Sequence, residues 1–478
     1  LIVRSSSLLE DNFGTSFAGK YESHFCPNQG APEQNLRDLT RAIVRTYASM
    51  LNPDALLYRR ARGLQDYDER MAILIQCVQG QRYGRYYLPH AAGVAFSRNF
   101  YRWSPQIRRD DGFLRLVWGL GTRAVDRVGN DYPRLVALSH PLLHPESSSK
   151  TIRRYSQQYV DLIDLQANAF RTLPVNEVLD PHYALLRYLV QIDQDGYLAP
   201  LRTSLQAESQ DKMVLTFDQL LRRTPLAKRM TALLQILEKQ YGNPVDTEFT
   251  VEVTEPHSLH PEVMISLLQC RPQSHIKESE ARLPKNLRRE DILFSTQRMA
   301  PEGRVHGVQY VLFVSPEAYY ALPTPSARAE LGRAVGRLNA ALKGQVFICV
   351  GPGRWGTSNP DLGVHIGYAD IYNTRALVEL AGQGIGEAPE ASFGTHFFQD
   401  LVESNIYPLA VYLDDENVVF NRDFFYTTPN QLAAFLPADA SFGDCLRLIS
   451  VSSFRMGAHI ELVMDDEEGR SVAYLEDG

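Results

Sequence analysis

The chain has 478 residues, 44% hydrophobic and 22% charged, with 49 Lys+Arg against 56 Asp+Glu for a net charge of −7. That length allows two to four domains, because single cores stop growing near ~250 residues, and the composition is that of an ordinary globular protein without the ~20-residue apolar run of a membrane helix. The acidic balance weighs against a dedicated nucleic-acid binder, which needs a concentrated basic face.

In chain order, the apolar triplet Leu1-Ile2-Val3 predicts the end of a buried strand that delivers Arg4 and the hydroxyls of Ser5, Ser6 and Ser7 into a polar loop. A planar, permanently charged guanidinium and consecutive serines suit a polyphosphate. Gly14 and Gly19 would allow a tight turn or a close approach to a ligand. Apolar residues at helical spacing (Leu36, Leu39, Ile43, Val44, Tyr47, Leu51) predict a helix over Asn35 to Leu51, and Pro53 starts a second to about Arg62. The short apolar run Met71 to Val78 reads as a buried strand, and Ala91–Ser97 and Phe113–Trp118 as further strands.

Pro141 to Gln157 is expected as a surface excursion, and a single amphipathic helix is expected from about Phe217 to Tyr241, stopped by Gly242-Asn243-Pro244. Two strands follow, Asp246–Val253 and Val263–Cys270, and a boundary is expected between Gln273 and Asp291. The remainder alternates strand (Val308–Val314), helix (Ser326–Leu342), strand (Gln345–Val350), Gly-rich loop, strand (Arg375–Leu380), helix (Thr395–Glu403) and strand (Ile406–Leu413), the pattern of a separate α/β domain. Five scattered cysteines (Cys26, Cys77, Cys270, Cys349, Cys445) lack C-x-x-C spacing and predict reduced thiols in a cytoplasmic protein.

The chemistry concentrates in Val245-Asp246-Thr247-Glu248-Phe249. Strand alternation puts both carboxylates on one face, a hard-oxygen pair suited to Mg²⁺. The next strand ends Leu267-Leu268-Gln269-Cys270-Arg271-Pro272, and the same parity puts Gln269 and Arg271 together, so Arg271 could meet phosphates whose metal Asp246 and Glu248 hold.

The run Val3-Arg4-Ser5-Ser6, then Glu10-Asp11, then Ser16-Phe17-Ala18-Gly19, together with Asp246-x-Glu248-Phe249 and Leu268-Gln269-x-Arg271-Pro272, resembles the nucleotide-binding domain of the phosphoenolpyruvate synthase and pyruvate phosphate dikinase family. Gly93-Val94-Ala95-Phe96-Ser97 and Gly119-Leu120-Gly121 resemble further family segments, with Thr122 where the second has Glu. The resemblance implies an α+β ATP-grasp fold, ATP and Mg²⁺ as cofactors, and metal ligation by Asp246 and Glu248. It also implies nucleotide contacts by Arg4, Ser5, Ser6, Gln269 and Arg271, and adenine contacts by backbone near Gln76, Cys77 and Val78. In the family a Gly-Gly-Lys segment begins the domain upstream; none precedes Leu1, so the N-terminal lobe is expected to be incomplete, which puts catalysis in question.

Two C-terminal segments stand out. Gly351-Pro-Gly-Arg354-Trp355-Gly follows an apolar strand and would suit an anion or a sugar with Trp355 as a stacking surface, or else serve as a structural turn. In Gly394-Thr395-His396-Phe397-Phe398, Thr395 would cap a helix, and His396 is a candidate phosphoryl carrier or a substrate-orienting residue. The pair resembles uncharacterised bacterial proteins named for their pyruvate/phosphoenolpyruvate-binding relatives.

The expectation is an ATP-grasp-like domain at residues 1–275, a linker at 276–290 and an α/β domain at 291–478. Its function would be ATP/Mg²⁺-dependent phosphotransfer, with Arg4, Arg271 and His396 catalytic and a His or small molecule, pyruvate-like among others, as acceptor. A non-catalytic ATP sensor or scaffold and a glucan- or antibiotic-directed dikinase are the alternatives. A homo-oligomer fits any of these, and neither nucleic acid nor membrane is an expected partner.

Overall fold

The computed structural model describes residues 1–11, 20–61, 63–99, 104, 106–125, 131–145, 148–194, 196–201, 212–273, 281–297, 302–356, 360–367, 370–382, 397, 401, 405–465 and 468–477. Gly14, Gly19, Gly394, Thr395 and His396 lie outside them. The chain divides into two compact units, Leu1–Leu56 with Gln65–Ser274, and Leu57–Leu64 with His275–Gly478. Both mix helices with several sheets, an α+β organisation.

In the first unit β1 (Ile2–Ser7) lies between β2 (His24–Phe25) and β3 (Met71–Gln76), antiparallel to both. The strand does not end at Val3. Its ladder continues through Ser5↔Ile73, Ser6↔Ala72 and Ser7↔Met71, so the serines are strand residues and not a loop. The helix Pro32–Ala48 covers the Val3 face, where Val3, Cys26 and Ala42 pack with Leu39, Ile43 and Ile73. Leu36, Val44, Tyr47 and Leu51, also expected on its apolar side, are exposed. Because β3 is a sheet edge, Leu74 and Ile75 remain 43% and 44% exposed, so the strand expected as buried is half-buried.

The remaining strands are β4 (Gln81–Tyr83), β5 (Tyr86–Leu88), β6 (Ala91–Phe96), β7 (Phe113–Val117), β8 (Arg134–Ala137), β9 (Tyr159–Asp164), β10 (Ala169–Pro174), β11 (Val190–Asp193), β12 (Leu198–Pro200), β13 (Met213–Leu215), β14 (Val245–Thr254) and β15 (Glu262–Pro272). They form sheets ordered β15-β14-β6-β7-β8, β10-β9-β5-β4 and β12-β11-β13. The core joins Val245, Phe249 and Val251 of β14 to Leu114 and Leu116 of β7, Leu162 of β9 and Met230 and Leu234 of the helix Leu226–Tyr241.

Two expectations need correction here. The single helix expected to Tyr241 is two, Asp218–Arg223 and Leu226–Tyr241. Pro225 lacks an N–H and disfavours helical backbone at Thr224, whose N–H and hydroxyl both donate to the Leu220 carbonyl, at 3.2 and 2.7 Å. Nor is 141–157 only a surface excursion. It holds the helix Ser149–Arg154 and ends on buried Gln157, which accepts from the Trp118 N–H and donates to its carbonyl, both at 2.8 Å.

The second unit contains β16 (Ile292–Thr296), β17 (Gly303–Val308), β18 (Tyr310–Val314), β19 (Phe347–Pro352), β20 (Ala376–Ala381), β21 (Tyr407–Tyr412), β22 (Leu446–Ser450), β23 (Ala458–Asp465) and β24 (Arg470–Asp477). One sheet is ordered β21-β20-β19-β18-β22, parallel apart from β22. The helix Pro325–Ala341 makes the crossover from β18 to β19 that parallel pairing requires, and Thr324 caps it by accepting the Ala327 N–H. The other sheet, β16-β24-β23-β17, is antiparallel. Among the described residues no helix is long and apolar enough to cross a membrane.

Candidate phosphate and metal site

The site is written on β14 and β15. Val245, Phe249, Val251 and Val253 face the core, so Asp246 and Glu248 emerge on the opposite face, as alternation predicts. β15 reaches that face by a different route. Val263 and Ile265 pack on the core opposite Val253 and Val251, and unbroken alternation would send Leu267, Gln269 and Arg271 the same way. Instead the register shifts between Glu248 and Phe249. Phe249 pairs with Leu267 and Glu248 with Gln269, leaving Leu268 as the extra residue of a β-bulge. The bulge re-aims the end of the strand, so that Gln269 lies across from Glu248 and Arg271 from Asp246.

The geometry at that face is close. Arg271 Nε is 2.8 Å from Asp246 Oδ1. Arg4, arriving on β1, places a terminal nitrogen 2.8 Å from Glu248 Oε2 and 2.6 Å from Gln269 Oε1. Both ion pairs are largely shielded from solvent. The amide of Gln76 donates to the carbonyl of the bulged Leu268 at 3.3 Å, and Tyr87 donates to the Val78 carbonyl at 3.1 Å.

The serines divide. Ser6 shares its face of β1 with Arg4, whereas Ser5 alternates to the other face and donates to Glu10 at 2.8 Å; the Ser7 hydroxyl accepts the Glu10 N–H. Sequence reading gave Ser5 and Ser6 the same nucleotide-contacting role because it placed the serines in a loop.

Next to β6 and β7 is a buried polar network that sequence reading missed. Gly93 has no room for a side chain, since a Cβ there would lie 1.9 Å from the Arg115 carbonyl oxygen. At the turn that follows β7, Gly119 and Gly121 have φ of +104° and +85°, and the Leu120 N–H donates to the Asp161 carbonyl. Thr122, at the position where the family pattern has Glu, donates to the Asp161 carboxylate at 2.5 Å. That carboxylate also accepts from Thr172 and from Arg123, which ion-pairs with Asp131. Burial pushes the Asp131 carboxyl up despite Arg123 and the Gln158 N–H. The signal for this network was Asp161 alternating with Val160 and Leu162 in Tyr159–Asp164, a strand pattern that went unread.

In the second unit Gly353 forms an isolated bridge with Gly363, and the Arg354 N–H donates to the Leu362 carbonyl at 2.8 Å. Arg354 is 2% and Trp355 0% exposed, and the Trp355 N–H donates to buried Glu379 at 2.8 Å. A Cβ on Gly351 would lie 2.6 Å from Trp355 Cζ2, so glycine makes room for the indole. Of the two readings of this segment, the structural turn fits: Trp355 is a core anchor, and the stacking surface is corrected. His396, the carrier candidate, falls outside the described residues.

Two guanidinium groups, two carboxylates and an amide are thus gathered on one face, a donor set whose chemistry suits a polyphosphate anion and a hard cation. By sequence comparison the chain belongs to the family of the pyruvate phosphate dikinase AMP/ATP-binding domain, whose model matches residues 1–291. It is 30% identical over 175 residues to a rifampicin phosphotransferase of Streptomyces sviceus, covering 34% of this chain and 18% of that protein. To a probable phosphoenolpyruvate synthase of Methanocaldococcus jannaschii it is 21% identical over 279 residues, covering 58% of this chain and 18% of that protein. The matched region thus spans under a fifth of either relative.

Proposed function

We propose that this protein is an ATP- and Mg²⁺-dependent phosphotransferase of the cytoplasm, with an ATP-grasp nucleotide domain at residues 1–275, a linker at 276–290 and an α/β domain at 291–478. The carrying observation is that Arg4 engages Glu248 and Gln269 while Arg271 engages Asp246. The cations for a triphosphate and the carboxylates for its metal stand assembled and mutually neutralised. An incoming phosphate competes for the guanidinium groups and frees the carboxylates.

Asp246 and Glu248 fit Mg²⁺ as hard oxygen donors on one strand face, and the ion, when bound, would neutralise and template phosphate oxygens. Arg4 and Arg271 hold the β- and γ-phosphates, and Gln269 takes a ribose or phosphate edge. Ser6 joins on Arg4's face, and Ser5 contributes its backbone only. The backbone from Gln76 to Val78 reads the adenine. Rate enhancement comes from positioning and charge neutralisation, as in phosphoryl transfer generally. The acceptor is a His, with His396 the candidate, or a small molecule. The names of the relatives, a rifampicin phosphotransferase and a probable phosphoenolpyruvate synthase, support the small-molecule branch.

The test is incubation with β- or γ-labelled ATP and Mg²⁺, with and without pyruvate or rifampicin, using wild type and Glu248→Ala. Labelled product or protein that disappears in the folded variant supports the reading, and equal labelling of both proteins refutes it. ATP binding with no transfer to any acceptor would favour the ATP-sensor alternative.

A further inference from the structure

The antiparallel sheet of the second unit carries a polar cluster that the nucleotide chemistry does not use. Glu461, in the middle of β23, is 0% exposed, on a strand whose neighbours Ile460 and Leu462 are core residues. Its Oε1 receives two imidazoles, His306 Nδ1 at 2.5 Å from β17 and His459 Nε2 at 3.1 Å from β23. All three donor atoms lie within 4.8 Å of one another. His459 Nε2 is itself buried and makes no hydrogen bond, although it points at a carboxylate. The other carboxylate oxygen, Oε2, is held by Arg304 at 2.7 Å, and Glu476, opposite His459 on β24, brings a carboxylate oxygen to 3.7 Å from His459 Nε2.

The backbone is shaped for this convergence. Between Val305↔Leu462 and Val308↔Ile460, two residues of β17 oppose the single Glu461, a bulge that Gly307 makes with φ of +70°. The bulge turns His306 toward Glu461 and lets the Gly307 N–H donate to Oε1 at 2.9 Å. Arg304 fixes Oε2 and so presents Oε1 as a one-oxygen ligand, the role that outer partners play around metal-binding carboxylates. In a tetrahedral site with ~2.05 Å bonds, ligand atoms stand ~3.3 Å apart, close to the His459–Glu461 separation. With neutral imidazoles, Glu461 and Glu476 against Arg304 leave one net negative charge, which favours a cation.

We propose that His306, His459 and Glu461 bind one borderline divalent transition-metal cation, of the Zn²⁺ class, with Glu476 or water in the fourth position, and that the ion pins the edge strand β17 to β23. Two imidazoles and one carboxylate select Zn²⁺ or Co²⁺ over Mg²⁺, which prefers all-oxygen ligands.

The test uses the full chain, stripped with a chelator and titrated with Zn²⁺ by calorimetry and with Co²⁺ by visible absorption, in excess Mg²⁺ so that Asp246 and Glu248 do not compete. The expected result is one equivalent, with the intense ligand-field band of tetrahedral Co²⁺. His306 is 74% exposed, so His306→Ala should fold normally. Loss of a direct ligand should weaken Zn²⁺ binding by at least the ~100-fold that losing a supporting contact can cost. His459→Ala should do the same, and Glu248→Gln should leave the equivalent in place. A wild-type chain that takes up no Zn²⁺, or an equivalent that persists at full affinity in His306→Ala, overturns the proposal.

Discussion

The β14–β15 face and the Gly351–Gly363 loop look alike as sequence, each joining an apolar strand to arginine and small or polar residues, yet they fold to opposite ends. On β14 and β15 the charged side chains are collected into ion pairs on the face away from the core, the face proposed to take a phosphate and its metal. In the loop, glycines make space for Trp355 and bury Arg354. The same residue types form a polar face where strand alternation points them away from the core, and become core where glycine serves close packing.

The contrast is broken most severely by reversing a charge on the β15 strand end. Arg271→Glu, which would set a third carboxylate beside Asp246 and Glu248, should abolish ATP binding while β14 keeps its place. Calorimetric ATP titration checked against far-UV circular dichroism measures this. Trp355→Ala should act the other way, costing ~3–5 kcal/mol of stability in the second unit and leaving ATP affinity unchanged, as read by thermal unfolding and titration.

Arg271→Ala removes both a phosphate donor and the partner of Asp246. The loss of a charge-assisted contact worth ~1.5–3 kcal/mol should weaken ATP roughly 10- to 150-fold. Ion removal should parallel it, with excess EDTA bringing wild-type ATP affinity down to that of Glu248→Gln.

A pH effect of similar size should come from His90, whose Nδ1 accepts the Val253 N–H at 3.0 Å beside the same sheet. Burial pushes this imidazole down from 6.5 to about 4. The unfolded chain therefore takes up a proton through pH 6.5 while the folded chain resists until about pH 4. Stability from this site is complete above that window and falls as pH drops through it, by ~3 kcal/mol at most. In His90→Asn, which keeps an acceptor for Val253, chemical denaturation across that window should lose this slope. Ser5→Ala should be the mildest change, moving ATP affinity less than ~threefold, because the hydroxyl faces Glu10.

Much of the site was legible. Alternation alone assigned Asp246 and Glu248 to one face, and the parity of Gln269 and Arg271 held because the irregularity falls just before them. The bulge itself was invisible, since Leu267-Leu268 is equally apolar on either side of a register shift. The serines were misplaced for the converse reason: polar residues read as loop, and only their pairing with β3 makes them strand. The break at Pro225 was there to be read, but helical periodicity on both sides masked it. In the second unit, the strand-helix alternation from Tyr310 to Pro352 was plain. The His306–His459–Glu461 cluster was not, because its members are brought together by a glycine bulge across two strands far apart in the chain.

The most direct measurement is calorimetric titration of ATP into wild type, Arg4→Ala and Glu248→Gln, each with and without Mg²⁺. Wild type should bind ATP in a Mg²⁺-dependent manner, Arg4→Ala should bind it much more weakly, and Glu248→Gln should lose the Mg²⁺ dependence. ATP affinity that is the same in all three folded proteins would contradict this.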